Sequence, residues 1–223
     1  MRFLKLQFKD LSPSFWLILL ILTGIIIYFG FQEYSSILAL ICALSGIYYA
    51  LLIGQKKIIG YAFGILYCVC YLIIAFLNKL YGDLMLTLFY LPLNFFGIYS
   101  WLKHQNATKT QIKITSLSKK LFFIYLLTFF LITYLYALFL KNLGANFYIL
   151  NSCSTIAQLF AFYLQIKRYV ENYLFVTFAN LIWILIWLNL TEQNQGNILQ
   201  LINVLIFFFI GIYYFFNWKK EVN

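Results

Sequence analysis

The residues with the most chemistry to offer in this chain are uncharged. Tyr173, Thr177, Asn180, Trp183 and Trp187 follow one another at i, i+4, i+7, i+10 and i+14, which puts all five on one face of a helix. Asn197, Gln200 and Asn203 step by threes along the next stretch, followed by Phe207. Earlier, Asn151, Thr155, Gln158 and Phe162 form one such row, and Thr87, Tyr90, Asn94, Gly97 and Trp101 form another. Amides in such rows can hydrogen-bond hydroxyls or a carboxamide on a small ligand, and indole rings offer flat surfaces to a ring. The candidate binding set is Tyr90, Asn94, Gln158, Tyr173, Asn180, Trp183, Trp187 and Asn203. Other chemistries find no parts. There is no Ser-His-Asp set, phosphate loop, metal-ligand cluster or facing pair of carboxylates, so no catalytic residue, cofactor or metal is expected.

The elements that must carry these rows are set by where charge is missing. Uncharged runs of 22, 22, 21, 19, 20, 25, 20 and 26 residues separate Asp10, Glu33, Lys56/Lys57, Lys79/Asp83, Lys103/Lys120, Lys141, Lys167/Glu171, Glu192 and Lys219. A helix crosses the hydrocarbon core with about 20 apolar residues, and a charge at its centre costs roughly 2.5 kcal/mol or more. Eight runs of this length predict eight transmembrane helices. With 64% hydrophobic and 10% charged residues in 223, little chain remains outside a bilayer, so function must lie inside the helix bundle. The expected fold is an all-α integral membrane protein.

Net charge +10 would suit nucleic acid, but its distribution points to the lipid bilayer instead. With the N-terminus in the cytoplasm, fourteen Lys and Arg fall on the cytoplasmic side, and only Lys79 and Lys141 on the other. Both termini are therefore expected inside, with no nucleic-acid partner. The first run, Leu11 to Gln32, lacks a small-x-small cleavage site and reads as a retained helix. Cys42, Cys68, Cys70 and Cys153 lie within predicted spans without Cys-x-x-Cys spacing, and read as packing residues.

The chain also repeats itself. Shifted by 114 residues, Ala43 falls on Ala157, Tyr49 on Tyr163, Gly82-Asp83 on Gly196-Asn197, and Gly97-Ile98-Tyr99 on Gly211-Ile212-Tyr213. Four spans separate equivalent points, so the halves are expected to be parallel. The expected order is an extra N-terminal helix (1–33), a three-helix bundle (34–103), a cytoplasmic loop with a linking helix (104–141), and a second three-helix bundle (142–223). Parallel repeats of this kind occur in the SWEET transporters, with substrate held near midplane between the repeats.

Two segments carry a family resemblance. One is Leu80-Tyr-Gly-Asp-Leu-Met-Leu-Thr-Leu-Phe-Tyr90 with Asn94, Gly97, Tyr99 and Trp101. The other is Ala161-Phe-Tyr-Leu-Gln-Ile-Lys-Arg-Tyr-Val-Glu-Asn172 with Asn180, the Gly196 turn and Gly211. Over roughly residues 40–220 the chain resembles the Pnu vitamin transporters, whose best-known members are the nicotinamide riboside transporters called PnuC. The resemblance implies a SWEET-like 3+1+3 fold, a homotrimer in the bacterial cytoplasmic (inner) membrane, and uptake of a B vitamin. A separate kinase would then trap the vitamin inside. Nicotinamide riboside is the expected substrate and thiamine the alternative, with riboflavin a further family substrate. Both of the first two are small cationic heteroaromatic molecules, which an aromatic face attracts by roughly 0.5–2 kcal/mol. The sequence departs from the family's Trp-x-x-Trp pair, having Tyr173 and Val176 there, and has Phe162 in place of a Gln, with Gln158 one turn earlier.

Further expectations concern motion and packing. Pro92, inside the fourth span, is the hinge candidate, because it removes one backbone hydrogen bond beside Tyr90 and Asn94. Gly60 and Gly64 read as a close-packing pair, and Trp16, Trp101 and Trp218 as interfacial belt residues. No Asp, Glu, Lys, Arg or His lies deep in a span, which argues for facilitated diffusion over proton coupling. A non-transporting membrane interaction protein is the reading of a different class.

Overall fold

Eight helices follow one another along the chain in a computed structural model that describes residues 6–32, 37–77, 81–105, 112–142, 144, 147–193 and 198–222. They are α1 (Pro13–Gln32), α2 (Ile37–Gly54), α3 (Gly60–Leu77), α4 (Tyr81–Lys103), α5 (Lys119–Asn142), α6 (Tyr148–Ile166), α7 (Asn172–Gln193) and α8 (Ile198–Val222). Seven are long and apolar enough to cross a membrane, and α3 carries a shorter apolar stretch, Gly60–Ile74. Each charge-free run has become one helix. Gly82-Asp83 and Gly196-Asn197 fall where side chains lie outside the described residues, as does the side chain of Gln200.

The helices group into two units, Met1–Lys113 and Ile114–Asn223. In the first, α1 packs on α2, α2 on α3 and α3 on α4; in the second, α5 packs on α6, α6 on α7 and α7 on α8. The order of one extra helix and 3+1+3 is thus one-plus-three, twice. The linking helix opens the second unit as the extra helix opens the first.

Local chemistry explains why the units begin alike. Ser12 accepts the Phe15 N–H on its Oγ at 3.2 Å, so it N-caps α1, with Pro13 at the first helical position, where no N–H is needed. Ser118 accepts the Leu121 N–H at 3.3 Å and caps α5 in the same way. Both α2 and α6 end on a residue in the left-handed region, Lys56 (φ 60) and Arg168 (φ 65). Around them the bonds match one for one. Lys56 N–H donates to Ile53 O (2.8 Å) and Lys57 N–H to Leu52 O (2.9 Å). Likewise Arg168 N–H donates to Gln165 O and Tyr169 N–H to Leu164 O, both at 2.9 Å. This is the Schellman pattern, a six-to-one bond enclosing a five-to-two bond, made here without glycine.

These bonds relate the two turns by 112 residues, which carries Tyr61 onto Tyr173, the second residue of α3 and of α7 respectively. The last helices require another offset. Tyr61 meets Trp101 edge-on with centroids 4.9 Å apart, and Tyr173 meets Trp218 edge-on at 5.0 Å, an offset of 117 on α4 and α8. The repeat is confirmed, and its ungapped register of 114 is corrected: the sequence match averages two offsets that differ because the intervening segments differ in length.

Trp101 and Trp218 are 0% and 1% exposed, so they belong to the interiors of their units and not to an interfacial belt. Trp16 is 41% exposed and stacks on Phe8 at 6.2 Å. In the second unit the core joins Leu117 and Phe129 to Ile156, Ala157, Ala161 and Leu164 of α6 and to Phe175 and Ala179 of α7. One face of α7 is thereby committed to apolar packing, which leaves another for polar groups.

Candidate binding face on the seventh and eighth helices

Tyr173, Thr177 and Asn180 occupy the side of α7 that meets α8. Tyr173 is 5% exposed, with its ring stacked on Tyr214 at 6.1 Å. One turn on, the Thr177 hydroxyl lies against Gly211, where any Cβ would overlap it. Tyr173–Tyr214 and Thr177–Gly211 fix the antiparallel register of the pair. Extended along both helices, that register brings Asn203 level with the turn of α7 between Trp183 and Trp187.

Several polar atoms on this face are buried. Thr177 Oγ1, Asn180 Nδ2, Trp183 Nε1 and Asn203 Oδ1 have no hydrogen-bond partner among the described residues. Asn180 and Asn203 are 7% and 9% exposed. A buried polar atom without a partner loses about 1–3 kcal/mol, and in most folded proteins more than nine in ten such groups are paired. Four on two adjoining helices are a cost the fold bears for a reason, and a polar ligand that meets them is the simplest one. The set offers two fixed donors, Asn180 Nδ2 and Trp183 Nε1, one fixed acceptor, Asn203 Oδ1, and one hydroxyl that serves either way. Trp183 and Trp187 stack with centroids 6.1 Å apart and 23° between planes, presenting a broad aromatic surface.

The first unit holds a smaller cluster. Asn94, 1% exposed, donates from Nδ2 to the Tyr90 carbonyl at 2.9 Å and toward Cys68 Sγ at 3.6 Å. With both amide hydrogens engaged, only Oδ1 lacks a partner, and it lies against Gly64, where a Cβ would overlap it. Gly64 therefore lets α3 and α4 approach with a polar side chain between them, and Gly60 admits Ile53 of α2 in a close but looser contact, as their spacing suggested. Pro92 lies inside a continuous α4 with its ring exposed. Gln158 is half-buried on α6.

The structure thus brings Tyr173, Asn180, Trp183, Trp187 and Asn203 to one helix pair, and places Tyr90 and Asn94 together in the other unit. It adds residues that the rows of amides did not single out: Tyr61, Cys68, Tyr214 and Gly211. Gly211 and Gly97 align in the sequence at 114 but are not structural counterparts, since Gly97 admits Tyr61 and Gly211 admits Thr177 from the preceding helix. Under the 112 offset the counterparts of Thr177, Asn180 and Trp183 are Ile65, Cys68 and Tyr71, so the polar face of α7 has no equal on α3.

A duplicated bundle of apolar helices, with amides and indoles set inside it and no charge deep in its spans, defines a multi-pass membrane protein. Comparison with known proteins gives the family. Residues 36–220 match the model of the nicotinamide mononucleotide transporter family, and the chain belongs to it. It is 29% identical over 211 residues to the nicotinamide riboside transporter PnuC of Haemophilus influenzae, covering 93% of this chain and 89% of that protein. To the PnuC of Neisseria mucosa it is 27% identical over 195 residues, covering 85% and 74%. A crystal structure of the vitamin B3 transporter PnuC superposes with a TM-score of 0.87 at 26% identity, covering 100% of this chain and 97% of that one.

Proposed function

We propose that the protein mediates uptake of nicotinamide riboside by facilitated diffusion across the bacterial cytoplasmic membrane, with the face shared by α7 and α8 as its principal binding surface. The observation that carries this reading is the uncharged set of unsatisfied donors and acceptors beside two indoles. A carboxamide matches donors and an acceptor together, ribose hydroxyls match any of them, and the cationic pyridinium suits the indole faces. The family's model is described by the mononucleotide, and the relatives are named for the riboside. Charge separates these two ligands. A phosphate brought into a span with no Lys, Arg or His would lie desolvated and uncompensated, so the riboside fits and the nucleotide does not. Both termini lie inside, the assembly is a homotrimer, and a separate kinase traps the product; family resemblance and the basic-charge asymmetry support these readings.

Binding to purified protein tests the proposal by tryptophan quenching. The riboside should bind in roughly the micromolar range, with the mononucleotide at least about tenfold weaker. Asn180→Leu and Trp183→Phe, which remove the two fixed donors, should each weaken riboside binding by about five- to thirtyfold without altering yield. Thiamine, left open by Tyr173 and Val176, is the comparison ligand: tight thiamine binding with none of the riboside would overturn the assignment. Pro92→Ala should slow transport while leaving affinity unchanged if the proline helps α4 move between states.

A further inference from the structure

Glu171 stands where the α6–α7 turn hands over to α7, and it is tied to a segment 54 positions earlier: its Oε2 accepts the Leu117 N–H at 3.0 Å. Two more bonds fasten the same strap. Thr115 N–H donates to the Arg168 carbonyl and Val170 N–H donates to the Thr115 carbonyl, both at 3.0 Å. Leu117 is buried in the core of its unit, and the next residue, Ser118, caps α5. Two residues past Glu171, Tyr173 opens the polar face of α7. The strap, the turn and the binding face are therefore consecutive links of one connection.

The first unit makes the same tie with the roles exchanged. Ile59, counterpart of Glu171 under the 112 offset, donates its N–H to Gln7 Oε1 at 3.3 Å, while Lys57 Nζ donates to the Lys9 carbonyl at 2.7 Å. The duplicated fold keeps a strap-to-turn bond in both units. Only in the second does the helix that follows carry Thr177, Asn180 and Trp183, and only there is the acceptor a carboxylate. An ionised acceptor holds a backbone N–H at roughly twice the strength of a neutral one. We propose that Glu171 is a positioning residue: through Leu117 it fixes the first turn of α7 and so sets where Tyr173, Thr177 and Asn180 stand against α8. This rests on reading that face as the substrate surface.

Three variants of the full-length protein test it: Glu171→Ala, Glu171→Gln and Gln7→Ala. In Glu171→Ala, riboside affinity should fall about tenfold and amide exchange should quicken in residues 172–180 while the other helices keep their protection. Glu171→Gln keeps an acceptor and should stay within about threefold of the parent. Gln7→Ala should lower thermal stability without moving affinity. Unchanged affinity and exchange in Glu171→Ala would overturn the proposal, as would exchange quickened equally throughout the chain, or Glu171→Gln binding as weakly as Glu171→Ala. If Glu171→Ala fails to fold, a smaller acceleration confined to 172–180 in Glu171→Gln supports the proposal and its absence overturns it. If the unsubstituted protein does not bind riboside, the reading of the face falls, and exchange at 172–180 still decides what Glu171 holds in place.

Discussion

Lys57 shows what a single residue can contribute at a helix turn. It has no exposed surface and donates to the Lys9 carbonyl. Burial lowers its ammonium below the usual lysine range; Asp10 opposes the shift and Lys56 adds to it. A lysine whose folded value is depressed binds fewer protons folded than unfolded. Its penalty is therefore full below the folded value and is relieved as pH rises toward the unfolded one. Thermal stability in detergent should accordingly gain as pH rises toward the ordinary lysine range, and Lys57→Met should flatten that gain. An equal slope in both proteins would remove Lys57 as its source. Sequence alone showed the α7 row plainly, because amides and indoles stand out in a charge-free run. It misplaced Trp101 and Trp218, since a tryptophan near a helix end can face headgroups or turn back onto a neighbour. Which of these holds depends on Tyr61 and Tyr173, brought near only by folding.

Among the helices, the contrast between Gly97 and Gly24 isolates the cost of close approach. A Cβ on Gly97 would overlap the Tyr61 ring, which also meets Trp101 edge-on, whereas a Cβ on Gly24 meets nothing within 4 Å. Gly97→Ala should lower stability by about 1–3 kcal/mol, and Gly24→Ala should leave it unchanged or raise it by up to about 1 kcal/mol. Parallel melting curves of the two variants check this, and equal shifts would mean that the Tyr61 contact carries no energy. The helices were legible from charge spacing alone. Amphipathic periodicity had little to offer, because a helix with lipid on one side and protein on the other is apolar all round. The repeat register was only half legible. Identities such as Gly97 with Gly211 pull toward 114, while the hydrogen bonds of the turns obey 112 and the aromatic contacts 117.

For the whole molecule, the asymmetry of fourteen basic residues against two predicts which ends of the helices face the cytoplasm. Cysteine placed at Lys141 should react with a membrane-impermeant thiol reagent in intact cells, and cysteine at Lys119 should react only after the membrane is opened. These are the exposed ends of α5, so the reverse pattern would invert the topology. The division into one-plus-three, twice, could not be read from composition, because a linking helix and an opening helix look alike until their packing is known. That packing has a consequence for how the chain is made. Within each unit every helix contacts the next one in sequence, and a contact that skips a helix, such as Phe129 of α5 on Phe175 of α7, stays inside one unit. Contacts so local in the chain form quickly. During insertion, α2 can dock on α1 and α3 on α2 as each leaves the ribosome, with the strap already synthesised when the turn that binds it emerges. The first unit can thus be finished while the second is still being translated, and a chain released after residue 113 would keep all four helices of that unit.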